Sequence, residues 1–248
     1  MTNKTPPLVP VVYTMGKVAS SSTSRAILAA GLNCLDIHNM NHEKILAVAQ
    51  GWINKGQFPP PNICVSMAHR ERLLVKNNKC LYISLVRDPI ARNLSGFFQN
   101  LHHMDDVIKN ESDPEKLTQH FIDSYQHDLP LNWFDREYKA QLGIDVFSWP
   151  FDRKNRYTHN AATNTILFRI DCPDEVKSQV LTDTLGREIT VGRLNVGANK
   201  DYSALYEKIK NRVSFPTAFL DKMYNSKFVR HFWLPNEIEA MKNNWIAK

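Results

Sequence analysis

Two apolar runs constrain this chain more than anything else in it: Leu8 to Met15 (LVPVVYTM) and Cys80 to Val86 (CLYISLV). Both are short, rich in β-forming residues and nearly continuous in their apolar character, so they read as buried strands. Cys34 to His38 and Ile63 to Ala68 read as two more, with helix-like segments between successive runs. Strands separated by helices imply a mainly parallel sheet with helices on both faces, a three-layer α/β fold. Beyond Met104 the pattern turns helical, with helices predicted at Pro114 to Tyr125, Asp174 to Leu185, Tyr202 to Arg212, Pro216 to Asn225 and Asn236 to Lys248. A late strand, Thr165 to Asp171, can rejoin the sheet, and Pro59-Pro60-Pro61 marks a stop before the third strand. There is no internal repeat or clear linker, and 248 residues suit one α/β domain spanning 1–248.

Composition excludes several classes of function. No stretch is long and apolar enough to cross a membrane, and Met1 to Pro7 is polar and proline-bearing, so the expected location is cytoplasmic, without membrane insertion. Lysine and arginine number 31 against 25 acidic residues, a formal net charge of +6 that suits an anionic partner. The basic residues form no dense run and are not interleaved with stacking aromatics, which argues against nucleic acid as that partner. Cys34, Cys64, Cys80 and Cys172 are scattered without paired spacing and are expected to be buried thiols, neither metal ligands nor disulfides.

After the first strand the sequence runs VVYTMGKVASSSTSRAIL, Val11 to Leu28. A strand, a tight turn and a helix in that order put a helix N-terminus at the carboxyl edge of a parallel sheet, where backbone N–H groups and the helix dipole attract phosphate. Gly16 lets the chain turn closely, Lys17 supplies a point charge, and Ser20, Ser21, Ser22 and Thr23 offer hydroxyl donors or caps. The turn is not a Walker A loop. That motif needs glycine and a Ser or Thr where Val11 and Val18 stand, so the magnesium-binding hydroxyl is missing. A capped, solvated turn explains the same residues.

The second constellation is LVRDPIARNLSGFFQN, Leu85 to Asn100. Arg87 ends a strand, Asp88 can cap a helix with Pro89 in its first turn, and Ile90, Leu94, Phe97, Phe98 and Leu101 form an apolar stripe. Arg92, Ser95, Gln99 and His102 fall on a polar stripe. Arg87 with Ser95, two helical turns on, can hold a phosphate through a guanidinium fork and a hydroxyl. An Arg87–Asp88 ion pair with a solvated serine is the plainer alternative.

Taken together, the two motifs resemble those of the sulfotransferases that use 3'-phosphoadenosine 5'-phosphosulfate (PAPS). Thr14-Met15-Gly16-Lys17-Val18-Ala19-Ser20-Ser21-Ser22 looks like that family's 5'-phosphosulfate loop, and Arg87 with Ser95 looks like its 3'-phosphate motif. Within the superfamily the chain is most similar to bacterial capsular polysaccharide synthesis proteins with an Asn-Lys-Trp-Tyr-Ser signature. Here it reads Asn199-Lys200-Asp201-Tyr202-Ser203, with Asp201 in place of the tryptophan. The resemblance implies a P-loop-NTPase-like fold, PAPS as co-substrate without a required metal, and transfer of a sulfuryl group to a hydroxyl or amine of a glycan or small natural product, leaving PAP. It further implies nucleotide contacts from Gly16, Lys17, Val18, Ala19, Ser20, Ser21, Ser22, Arg87 and Ser95, and from a basic loop holding Asn195 and Lys200.

Sulfuryl transfer builds negative charge on the departing phosphate oxygen, which Lys17 is placed to neutralise. A base must take the acceptor's proton. His69, at the end of the predicted Ile63 to Ala68 strand, has the right pKa class and resembles in its place along the chain the catalytic histidine of cytosolic sulfotransferases. Glu137 is the second candidate, beside Asp135 and a possible acceptor wall of Trp133 and Phe134, with His102 and His103 behind it. A nucleotide kinase on a related scaffold and a noncatalytic binder of nucleotide or acidic polymer remain open alternatives. The missing Walker hydroxyl counts against the kinase.

Overall fold

The structure is a computed structural model and describes residues 8–76, 79–101, 108, 110–192, 203–212 and 214–246. The chain divides into two compact units, each assembled from two stretches: Met1–Val86 with Phe134–Arg193, and Arg87–Trp133 with Leu194–Lys248.

The first unit is built on a five-stranded sheet of order β2-β1-β3-β5-β4. Its strands are β1 (Val9–Tyr13), β2 (Leu35–Ile37), β3 (Cys80–Val86), β4 (Tyr157–Asn160) and β5 (Thr165–Arg169). β1 runs parallel to β2 and β3, and β3 runs parallel to β5, whereas β4 runs antiparallel to β5. Every residue of β3 and β5 is buried, as expected of strands covered on both faces. The register sets Val12 beside Asp36 and Val11 beside Tyr82, which assigns the faces. One face carries Asp36, bonded by Ser24 of helix α1 (Ser20–Ala29). The other carries Tyr13 and Tyr82, against which pack Tyr138 and His69 of helix α3 (Pro61–Lys76). Helices therefore cover both faces.

β2 is followed by helix α2 (His42–Ile53), and α3 packs against it through a small core of Ile45, Ala49 and Ile63, with Met67 alongside. This corrects the expectation of a strand over Ile63 to Ala68. Pro61 opens α3, where a fixed φ and a missing N–H suit the first helical position, and Ile63 and Met67 recur at helical spacing. The sheet gains instead the antiparallel edge strand β4, whose half-exposed YTHN sequence has no apolar run to announce it.

In the second unit, helix α4 (Pro89–Gln99) buries Ile90, Leu94, Phe97 and Phe98. Phe97 meets Phe121 of the helix Pro114–Ser124, and Phe215 packs on Trp245. Arg92 departs from its predicted polar stripe. It is buried, with its guanidinium 3.0 Å from Asn93 Oδ1 and 3.4 Å from the Tyr125 hydroxyl. Gly96 makes room for that tyrosine, since a Cβ there would collide with the Tyr125 hydroxyl. All four cysteines are free thiols; Cys80 and Cys172 are buried, Cys34 is half-buried and Cys64, against expectation, is exposed on α3. Among the described residues no helix is long and apolar enough to cross a membrane.

Candidate functional site

β1 sits between β2 and β3, so the chain leaves β1 toward one neighbour and later returns on its other side. In open parallel sheets the crevice beyond the carboxyl ends of strands at such a reversal is where ligands bind. The segment leaving β1 there is Thr14–Ala19. Met15 and Val18 turn inward and are buried, while Gly16 and Lys17 are half-buried. Three of its residues have left-handed backbone: Gly16 (φ 73°), Lys17 (φ 63°) and Ala19 (φ 64°). Non-glycine residues rarely adopt this conformation, and each costs about 1–3 kcal/mol where it persists. Here it turns the chain sharply into α1, whose N-cap Ala19 supplies no side-chain cap. The helix thus starts with first-turn N–H groups unserved by an N-cap side chain, as an anion site requires.

The serines divide by position. Ser20 is buried and bonds the Asp36 carboxyl, as Ser24 does at 3.1 Å, whereas Ser21 is exposed and Ser22 half-exposed at the helix start. Burial raises the Asp36 pKa, and the charge of His38 and the serine hydroxyls pull it back. Asp36 is thus a half-buried carboxyl fastening α1 to β2.

The loop is also held from beneath. Tyr13, the last residue of β1, donates its hydroxyl to Glu137 Oε2, and Met40 N–H donates to the same oxygen at 2.7 Å. Glu137 comes from a π-helical segment, Asp135–Leu142, whose Tyr138 hydroxyl reaches the Tyr13 carbonyl at 3.3 Å. Arg70 of α3 donates to the Met40 carbonyl at 2.8 Å and to Gln141 Oε1 at 2.7 Å. Glu137 therefore ties the end of β1 to the segment after β2. Its burial pushes its pKa up, against the lowering effect of the Met40 and Tyr13 bonds. With only 4% of its surface exposed and its carboxylate engaged, it is built as an anchor for the loop. Trp133 and Phe134 are likewise buried.

His69 does not stand at a strand end. It lies within α3, 4% exposed, with its ring 6.3 Å from that of Tyr82 and no hydrogen-bond partner on Nε2 among the described residues. Burial, with the nearby charge of Arg72, pushes its pKa down to about 4. That environment suits a neutral core imidazole and leaves little route for an acceptor's proton. The residue that sequence reasoning passed over is His38, exposed at the end of β2 and 3.1 Å from the Thr14 carbonyl through Nδ1. Its sequence signal is its place as the last residue of the predicted Cys34 to His38 strand; the structure ends β2 one residue earlier, at Ile37.

Arg87 follows β3 in the chain and is half-buried, as is Ser95 on α4. Asp88 spends its carboxylate on the helix, accepting from Ala91 N–H at 2.8 Å and from the Tyr224 hydroxyl at 2.7 Å. The predicted cap is therefore present, and Tyr224 reinforces it. Asn195, Lys200, His102, His103 and the signature positions Asn199 to Tyr202 lie outside the described residues.

The family described as "Putative capsular polysaccharide synthesis protein" (NKWYS) matches residues 112–234. No curated protein and no solved structure matches the chain.

Proposed function

We propose that this chain is a PAPS-dependent sulfotransferase on a P-loop-like scaffold, moving a sulfuryl group to a hydroxyl of a glycan. The observation that carries this reading is the Thr14–Ala19 loop, with its left-handed residues and its uncapped helix start at the carboxyl end of β1. The loop fits a phosphate, and Val18 stands where a magnesium-dependent nucleotide enzyme would place its hydroxyl ligand. Sulfuryl transfer moves a group of lower charge, so a lysine and oriented N–H donors suffice for the developing negative oxygen. In this reading Lys17 meets the leaving phosphate oxygen, while Arg87 and Ser95 hold the 3'-phosphate that separates PAPS from ATP. The family match over residues 112–234 supports a polysaccharide as the acceptor class.

A thermal-shift comparison tests the proposal, because a ligand that binds only the folded protein raises its apparent stability. PAP is expected to stabilise the chain, and ATP with magnesium to do so less. Stabilisation by ATP with magnesium and none by PAP would point to the kinase and overturn the assignment.

A further inference from the structure

We propose that His38 is the base that takes the acceptor's proton, an inference that rests on the sulfotransferase reading. β2 lies parallel to β1 with Tyr13 beside Ile37, so the first residues after the two strands, Thr14 and His38, emerge side by side. Thr14 N–H continues the ladder to the Ile37 carbonyl at 3.1 Å. His38 Nδ1 lies 3.1 Å from the Thr14 carbonyl and 3.3 Å from Thr14 Oγ1. A carbonyl oxygen can only accept, so the bond to the Thr14 carbonyl calls for the hydrogen on Nδ1, and in that tautomer Nε2 holds the basic lone pair of the neutral ring. That edge of the imidazole lies along the loop: a Cβ on Gly16 would stand 3.8 Å from Cδ2 and 3.9 Å from Nε2. The ring is thus fixed against the glycine that precedes Lys17.

Three features suit His38 to the task better than His69 or Glu137. Its side chain is exposed, so a bulky glycan hydroxyl can reach it. Its segment is clamped, since the next anchors, Met40 N–H and the Met40 carbonyl, are bonded to Glu137 and Arg70. Asp36, two residues earlier on the same strand, interacts electrostatically with His38 and is itself held by Ser20 and Ser24. A carboxyl so placed stabilises the imidazolium that forms when the base takes a proton.

The step balances without a redox partner. The acceptor hydroxyl gives its proton to His38 Nε2 while its oxygen lone pair forms a bond to the sulfur of PAPS. The bond from sulfur to the bridging phosphate oxygen breaks, its electron pair leaves with PAP, and Lys17 neutralises that oxygen.

The test compares wild type with His38→Asn and His38→Gln. Asparagine places its amide donor where Nδ1 stood and keeps the bond to Thr14, but it has no basic nitrogen. Three quantities are measured: PAP affinity by calorimetry, PAP release from PAPS with water as acceptor, and the histidine tautomer by ¹⁵N NMR. His38→Asn is expected to bind PAP within about threefold of wild type, a difference under 1 kcal/mol. Its PAP release should fall at least ~100-fold, the usual contribution of a general base. His38→Gln, without the Thr14 bond, should lose rate as well, and the wild-type ring should show its hydrogen on Nδ1. Unchanged release in His38→Asn, an affinity loss as large as the rate loss, or an Nε2–H tautomer would each overturn the role of His38 while leaving the sulfotransferase reading in place. A wild type that neither binds PAP nor releases it from PAPS overturns both.

Discussion

Replacing Glu137 with alanine should destabilise the first unit sharply. The carboxylate accepts from the Tyr13 hydroxyl and from Met40 N–H, and both residues are fully or almost fully buried, at 0% and 1% exposure. Truncation removes the acceptor that these two buried donors share, at about 1–3 kcal/mol for each bond lost. Removing a carboxyl that burial disfavours gives some of this back, so the net loss is placed at about 2–4 kcal/mol. Urea unfolding followed by far-UV circular dichroism reads it directly; at an m-value of about 2–3 kcal/mol/M the midpoint should fall by roughly 1 M. A double-mutant cycle with Tyr13→Phe isolates the shared bond and should show a coupling of about 1 kcal/mol or more. A loss below about 1 kcal/mol for Glu137→Ala, or strict additivity with Tyr13→Phe, would refute Glu137 as the tie between β1 and the segment after β2.

The same site sets a pH dependence with a definite sign. The folded protein holds the Glu137 proton more tightly than the unfolded chain does, so this group's stabilisation is complete below the ordinary carboxylate range and is lost as pH rises through the raised folded value. Glu137→Gln should remove that slope from urea midpoints measured across pH. His69 acts in the opposite sense: with its pKa down to about 4, stability is full above the ordinary imidazole range and falls as pH drops toward that value. His69→Leu should flatten this acid arm. Gly16→Ala puts a side chain on a left-handed residue beside the His38 ring, and should cost about 1 kcal/mol in stability together with most of the thermal shift given by PAP. Gly96→Ala drives a methyl group into the Tyr125 hydroxyl and should destabilise the second unit by about 1–3 kcal/mol, with Tyr125→Phe rescuing part of the loss.

Much of this architecture is written locally. The β1 and β3 runs, the late β5 strand, the Asp88 cap and the apolar stripe of α4 follow from short-range pattern, and all five occur as expected. The error over Ile63 to Ala68 has a physical cause: a short apolar run with β-branched residues has no period that separates strand from buried helix. The contacts of Ile63 with Ile45 and Ala49 decide it, and those are tertiary. The boundary between the units is equally silent, because it falls after Val86 at the end of β3 and after Trp133 within a helix, without Gly- or Pro-rich linkers. The turn at Gly16 and Lys17 is legible, because a strand–turn–helix order predicts a helix N-terminus there. His38 was not, since its meeting with Thr14 depends on β2 pairing with β1, a contact 24 residues apart in sequence. Glu137 is legible as a carboxylate of interest, but its tie is not: nothing in its own neighbourhood announces Tyr13, 124 residues away.

In the proposed enzyme two cations divide the labour, Lys17 at the leaving oxygen and Arg87 at the 3'-phosphate. Calorimetric titration of PAP into wild type, Lys17→Ala and Arg87→Ala tests this division directly. Arg87→Ala should weaken PAP binding about 100-fold, as loss of a charge-assisted guanidinium–phosphate contact does, whereas Lys17→Ala should weaken it less than about tenfold. Equal losses in the two variants, or no measurable PAP binding by the wild type, would contradict it.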